Sequence, residues 1–468
     1  MEPTQLAYAN LVDVAELIRT RQVSPREVTR AVLDRIEALE PKLHAFTVVT
    51  PELAMEQAGR AEAEIMSGRY RGPLHGVPVG LKDLCFTKGI RTSGGMAIHA
   101  EYVPEEDGTV TAKLATAGAV TMGKLQMTEG AYSEHHPSVT APRNPWGSAY
   151  WAGASSSGSG VATAAGLCYG AIGSDTGGSI RFPSLMNNLT GLKPTWGRVS
   201  RYGAFILSES LDHLGPMTRC AADAAAMLQA IAGEDDNDPT TLLAPVPDYL
   251  GKVQAAGVFG ARGLRIGIDR RFNTTGVEDK VTELTDAAAK VLRSIGATLV
   301  DIDFPDSNPV LESWVEFCGY ETAFVHAETY PSRRHEYGPA LTGLIEIGRG
   351  VSPQRIAEIA VERDRFKGRL ARVFRQVDLV LVPGLFLAGP SLERLALSEP
   401  KELTTLLKYT APFDMSGSPT ITLPCGFSDQ GIPVAFQLVG PHLSEDVLLC
   451  AGHAFQQATD WHTRHPPV

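Results

Sequence analysis

Two glycines followed by a serine, Gly177-Gly178-Ser179, are the strongest chemical signal in this sequence of 468 residues. Glycine removes the side chains that would keep another group away from the backbone. The N–H groups of Thr176, Gly177, Gly178 and Ser179 can therefore converge on one point. Such a nest of donors suits an oxyanion, and a serine at its rim suits attack on a carbonyl. A glycine turn that binds nothing would look the same if these residues stood alone. A second loop, Gly153-Ala154-Ser155-Ser156-Ser157-Gly158-Ser159-Gly160, lies just upstream and carries more hydroxyls than a linker needs.

A serine nucleophile needs a base. The 12 histidines are scattered, and none lies in either Gly/Ser loop. A lysine can serve only when neutral, which requires burial to bring it down from its ordinary value of ~10.4. Lys82 stands in His75-Gly76-Val77-Pro78-Val79-Gly80-Leu81-Lys82-Asp83, which reads as a short apolar strand bounded by Gly and Pro. Asp83 would favour the ammonium, but adjacent strand residues point to opposite faces. A lysine taken singly is ordinarily a surface residue; the two serine loops are what make Lys82 a candidate base.

Commoner arrangements fail on their spacing. Gly118 through Gly123-Lys124 matches a phosphate-binding loop until Leu125 replaces the hydroxyl that would hold magnesium. None of Ser155, Ser159 and Ser179 is flanked by the glycines of a G-x-S-x-G nucleophile elbow. His135-His136 are adjacent, a spacing that does not aim two ligands at one metal. No metal and no cofactor are expected.

The elements that must position these residues alternate. Ser24-Pro25-Arg26-Glu27 is a capping box that opens a helix with Val28, Ala31, Val32, Ile36 and Leu39 at helical spacing. A helix is expected over 111–118 and a strand over 120–122. The stretch 161–172 is strongly apolar and reads as helical. Strands follow at 264–268 and 298–302 around a helix over 277–294, then at 379–382, 420–423 and 434–438. This alternation predicts an α/β architecture. Residues 234–248 read as a polar, turn-rich connection. The formal charge of −11 argues against nucleic-acid partners, which require a basic face, and against an anionic membrane surface. No apolar run reaches the ~18–20 residues of a membrane span. The start of the chain predicts no secretory leader. The six scattered cysteines fit free thiols in a reducing, cytoplasmic setting.

Together these residues resemble the amidase signature family. The resemblance runs through Gly76–Asp83, Asn144-Pro145-Trp146, Ser155–Gly160, Gly173–Pro183, Gly191–Thr195, Ser210–Pro216 and Gly431–Val434 with Gln437–Gly440. It weakens over about 250–410. It implies an α/β amidase signature fold, a central mixed twisted sheet covered by helices on both faces. It also implies one amidase signature domain over 1–468: N-terminal helices at about 5–65, a catalytic core at about 66–233 and 411–468, and a substrate-shaping region at about 250–410. Residue by residue, Ser179 matches the acyl-enzyme nucleophile. Ser155 matches the bridging serine that follows a cis peptide bond, and Lys82 the terminal base. Thr176, Gly177 and Gly178 match the oxyanion-hole backbone, with Asp175 and Arg181 as supports. Ala154 and Ser157 stand where the family usually has glycine.

The activity implied is hydrolysis of carboxylic amides, with esters or carbamates open to the same chemistry. The expected partner is a small-molecule amide, and a homodimer is left open. Two competing readings are the glutaminase component of a tRNA-dependent amidotransferase and a non-catalytic binding protein on the same scaffold. The glutaminase usually has Gln where Phe182 stands, and a different run from that at Leu125–Tyr132. These departures favour a stand-alone amidase. By analogy the segment 126–136, with Met127, Thr128, Glu129 and Gly130, lines the acyl pocket. Trp314, Phe317, Tyr320 and Phe324 are aromatics at helical spacing that could form either a core face or a pocket wall.

Overall fold

The capping box at Ser24 forms as expected: its hydroxyl accepts from Glu27 N and its own N–H donates to the Glu27 carboxylate. The Pro25–Leu43 helix starts there and buries Val28, Val32 and Ile36. The structure, a computed structural model, describes residues 3–398 and 400–468. Its centre is one 11-stranded mixed sheet. In chain order the strands are β1 (Phe46–Val49), β2 (Pro78–Lys82), β3 (Val120–Leu125), β4 (Gly170–Asp175), β5 (Thr190–Lys193) and β6 (His213–Thr218), followed by β7 (Arg265–Ile268), β8 (Thr298–Asp301), β9 (Leu379–Pro383), β10 (Thr420–Phe427) and β11 (Pro433–Val439). Their order across the sheet is β1-β3-β2-β4-β6-β5-β10-β11-β9-β7-β8. The strands contributed by residues 250–410 thus form one end of the same sheet that carries Lys82 and Asp175.

Strand direction explains where the chemistry collects. β3, β2 and β4 are parallel neighbours, so Leu125, Lys82 and Asp175 all end strands at one edge of the sheet. β6 runs antiparallel to β4 with His213 opposite Asp175, which brings the start of β6 to that edge. Lys193, the last residue of β5, pairs with Thr420, the first of β10. The carboxyl ends of adjacent strands are where open α/β sheets leave room for ligands. β2, β3, β4, β5 and β6 are buried along their whole length, as strands covered on both faces must be.

Helices flank the sheet. Ser157–Ala164 packs on β2 and β4, Ala221–Ile231 on β5 and β6, Asp279–Ser294 on β9, β10 and β11, and Glu445–Gln457 on β10. The apolar stretch 161–172 is not one helix: the Ser157–Ala164 helix ends after Ala164, Gly166 takes a positive φ of 71°, and β4 begins at Gly170. Hydrophobicity alone does not separate a buried helix from a buried strand, and here both are buried. The helix at 109–116 and β3 differ from their expected bounds by a few residues. β3 extends to Leu125, so Gly123 and Lys124 of the phosphate-loop look-alike lie inside a strand. The connection at 234–248 is mostly irregular, and Asp235 and Asp238 tie it to Thr109, Ser200 and Arg201.

One glycine lets the serine-rich loop reach the sheet edge. Gly158 N donates to Gln126 O, just past the end of β3. A Cβ at Gly158 would meet Ala45 O at 2.4 Å and Gln126 N and O at 2.6 Å. All three are backbone atoms that cannot swing aside. Gly158→Ala should therefore destabilise the protein by about 1–3 kcal/mol or more, read as a lower urea midpoint at unchanged m-value.

Candidate active site

Lys82 is the last residue of β2 and its side chain is fully buried. Its Nζ lies 2.6 Å from Ser155 Oγ, 2.8 Å from Ser156 Oγ and 2.8 Å from Ser174 Oγ. Burial pushes the amine down to about 7, against the opposing charges of Asp212, Cys85 and Asp175. A neutral amine has two N–H donors and one lone pair, which matches three hydroxyl neighbours. The Ser156 hydroxyl already donates to Ser174 O, at 3.2 Å, and accepts from Ser174 N. It can only accept from Lys82. The lone pair is left for the proton of Ser155 or Ser174. Asp83 does not compete: its carboxylate accepts from Ser93 N and Oγ, and the charge that most favours its ionised form is Lys124.

Ser155 follows a cis peptide bond from Ala154. Its loop is held on both sides. Thr128 N donates to Ser155 O at 3.2 Å, and Ser156 N donates to Ser179 O at 3.4 Å. Asn187 Nδ2 holds Ala152 O, and Asn144 Nδ2 holds Trp151 O and Met186 O. Ser179 stands out from this packing. From Ser155 through Thr195 every other residue is buried, and Ser179 alone keeps partial exposure. A nucleophile must be reachable, and Ser179 meets that requirement.

The loop from β4 to Ser179 is organised by Asp175. Its carboxylate accepts from Gly178 N at 2.7 Å, Ile180 N at 2.9 Å and Arg181 N at 3.3 Å, and it is paired with the Arg181 guanidinium. Burial works to raise this carboxyl, but Arg181 and the loop N–H groups outweigh it and hold it well below the usual range. The Gly178 N–H is therefore already engaged. Among the described residues the N–H groups of Thr176, Gly177 and Ser179 have no acceptor, which leaves them as the free donors of the expected nest. Arg181 also bonds Asp414 Oδ2 at 2.6 Å and Thr410 O at 2.9 Å.

Several groups gathered here have no role assigned from the sequence alone, although Lys193, Asp212 and His213 lie in segments that carry the family resemblance. Asp414 lies 233 residues from Arg181, so only the fold could join them. Lys193 Nζ is 3.1 Å from His213 Nε2, and His213 Nδ1 is 3.1 Å from Asp175 O. A ring that donates from Nδ1 to the carbonyl and accepts at Nε2 is neutral; burial, with Lys193 beside it, drives its basicity well down. Asp212 accepts from Thr176 Oγ1 at 2.6 Å and from Leu207 N and Ser208 N, and burial pushes it up to about 6. Ser156 and Ser174 sat inside the recognised loops, but no spacing rule tells which of several serines faces an amine.

The remaining sequence candidates lie as follows. Met127, Thr128, Glu129 and Gly130 are buried between the Ser155 loop and the start of the Pro339–Gly350 helix. Both Glu129 oxygens lie 3.0 Å from Gly338 N, and burial raises this carboxyl to about 7. His135 bonds Ser157 Oγ at 3.0 Å and His136 bonds Ser138. The four aromatics of 314–324 separate. Trp314 and Phe317 are buried, whereas Tyr320 is 41% and Phe324 74% exposed, so they form neither one core face nor one wall. Among the described residues no cluster of His, Cys, Asp or Glu could hold a metal, and no helix is long and apolar enough to cross a membrane.

Removing Arg181 would leave two buried carboxylates facing each other. Arg181→Met should cost about 3–5 kcal/mol in urea unfolding, and Asp414→Asn added to it should recover part of that loss.

Comparison with known proteins identifies the family and the fold. The sequence pattern of the family described as Amidase matches residues 27–449. The AmiD protein of Mycobacterium tuberculosis, which carries an amidase name, is 46% identical over 100% of this chain and 98% of its own length. A glutamyl-tRNA(Gln) amidotransferase component from Geobacter sp. (strain M21) is 36% identical over 97% of this chain and 98% of that protein. The peptide amidase of Stenotrophomonas maltophilia superposes with a TM-score of 0.85 at 29% identity, covering 98% of each chain. A bacterial aryl acylamidase of the amidase signature family gives 0.86 at 26% identity, covering 97% and 98%. The fold, the strand-edge site and these matches together place the chain in the amidase family, as an enzyme that hydrolyses amide bonds.

Proposed function

We propose that the protein hydrolyses carboxylic amides through an acyl-enzyme on Ser179, with Ser155 as the proton bridge and Lys82 as the base. The observation that carries this is the buried Lys82 amine 2.6 Å from Ser155 Oγ, beside a loop whose one accessible residue is a serine. Ser179 Oγ attacks the carbonyl carbon while its proton passes to Ser155, whose own proton passes to neutral Lys82. The carbonyl oxygen becomes an oxyanion against the free N–H groups of the 176–179 loop. The same relay run backwards protonates the amine, which cannot leave as an anion, and the acyl-enzyme forms. Water then enters, gives up a proton along the relay and releases the acid. Esters and carbamates are open to the same steps. The acyl group is placed along the segment 127–130, next to Ser155.

A second reading, a glutaminase that works inside an amidotransferase, is supported by the 36% identity to the Geobacter protein. Phe182 argues for the stand-alone amidase. Its ring covers Gly178, where a Cβ would meet Phe182 Cε2 at 2.4 Å, and it lies against Trp151 with centroids 5.5 Å apart. Assay of the purified chain alone on simple aryl and aliphatic amides separates the two readings. Turnover without partner proteins is expected; strict dependence on glutamine and a partner would establish the other.

Ser179→Ala should lower kcat by about 10⁵- to 10⁶-fold on a panel of amides, esters and carbamates, and residual turnover near the wild-type rate would remove Ser179 from the mechanism. The pH profile follows from Lys82. The base works only when deprotonated, so kcat/KM should fall as pH drops through about 7, roughly tenfold per unit below it. A flat profile between about pH 5 and 8 would exclude a lysine base of this kind.

A further inference from the structure

The oxyanion loop has a partner from the part of the chain where the family resemblance is weakest. Trp314 opens the Trp314–Val325 helix and is 5% exposed. Its indole Nε1–H donates to Thr176 O at 2.9 Å. Its six-membered ring lies against Gly177: a Cβ there would come within 2.5 Å of Trp314 Cζ2. The Thr176–Gly177 peptide is trans, so its C=O and N–H point in opposite directions. Holding the carbonyl from one side aims the Gly177 N–H to the other. Among the described residues that N–H has no acceptor, whereas the next one, on Gly178, is taken by Asp175.

The helix that carries Trp314 is itself anchored beside the loop. Thr322 Oγ1 donates to Leu207 O at 3.0 Å, and the Glu321 carboxylate accepts from Ser208 Oγ and from Ser210 N. Asp212, at the end of the same 207–212 segment, holds Thr176 Oγ1 at 2.6 Å. Thr176 is thus gripped by its carbonyl from one element and by its hydroxyl from the segment that element is fastened to. We propose that Trp314 is a positioning residue of the oxyanion site. Its indole N–H sets the Thr176–Gly177 peptide so that the Gly177 N–H faces the carbonyl oxygen of the bound amide. This role rests on the Ser179 acyl-enzyme reading. It also assigns the 250–410 region a part in the chemical step.

A residue that aims an oxyanion donor acts in the transition state more than in substrate binding. Two replacements test it: Trp314→Phe, and incorporation at 314 of 3-benzothienylalanine, which keeps both rings but has sulfur in place of N–H. Both should lower kcat by about 10- to 100-fold with KM within about twofold. Both should weaken inhibition by a trifluoromethyl ketone analogue of the substrate by the same factor. The benzothienyl protein keeps the ring packing, so it should stay folded with a urea midpoint lowered only by the loss of one buried hydrogen bond, and the test survives even if the Phe variant folds poorly. Wild-type kcat in the benzothienyl protein would overturn the proposal, as would a rise in KM at unchanged kcat. A fluorophosphonate control keeps the two levels apart. Labelling of wild-type Ser179, found by peptide mapping, supports the acyl-enzyme reading whatever the Trp314 variants do. Failure to label it would overturn that reading and this one with it.

Discussion

The buried amine of Lys82 is the constraint around which this protein is built. Burial moves it from 10.5 to about 7. Since one unit is worth about 1.4 kcal/mol, the fold bears a cost of about 5 kcal/mol below roughly pH 7 that fades as pH rises toward the unfolded value. A protein stable by roughly 5–15 kcal/mol has little room for such a group without strong packing around it. Five strands buried along their whole length, and hydroxyls on three sides of the amine, are that packing. The hydroxyls satisfy the amine without charging it. A carboxylate in any of their places would hold the proton on Lys82 and remove the neutral amine that the proposed mechanism requires.

The negative charge nearby has been confined. Asp175 is tied to Arg181 and to three loop N–H groups, so it shapes the Ser179 loop while its charge is matched by a guanidinium. Asp414 meets the other side of that guanidinium. A buried pair of this kind contributes little net stability, but it fixes the loop that carries Ser179. The neutral His213 and the Lys193 amine complete a layer beneath the loop in which every group is tied to another.

The division of labour along the chain follows from this. The N-terminal half and the C-terminal segment carry Ser179, Ser155, Lys82 and the Asp175–Arg181–Asp414 braces at one edge of the sheet. The region between them adds three strands to the far end of the sheet and sends one helix back onto the Thr176–Gly177 peptide. The part of the chain that least resembles the family pattern therefore contacts the loop that carries Ser179.

The proposed nucleophile, bridge and base stood out in the sequence because Ser179, Ser155 and Lys82 each lie in a short segment of restricted composition: glycine for close backbone approach, serine for hydroxyls, an apolar strand to bury a lysine. The α/β class was legible for a similar reason, since alternating apolar runs of strand and helix length are local features. The stretch 161–172 misled because a buried helix and a buried strand share one hydropathy. What local pattern could not decide were the contacts between distant residues. Strand order brings Lys82, Asp175, His213 and Lys193 to one edge. It also sets Asp414 against Arg181, engages the Gly178 N–H on Asp175, and places Trp314 on Thr176 while leaving Phe324 in solvent. Sequence determined which groups were available and how each segment would fold; tertiary structure decided which met, because hydrogen bonds and desolvation depend on separation in space and not along the chain.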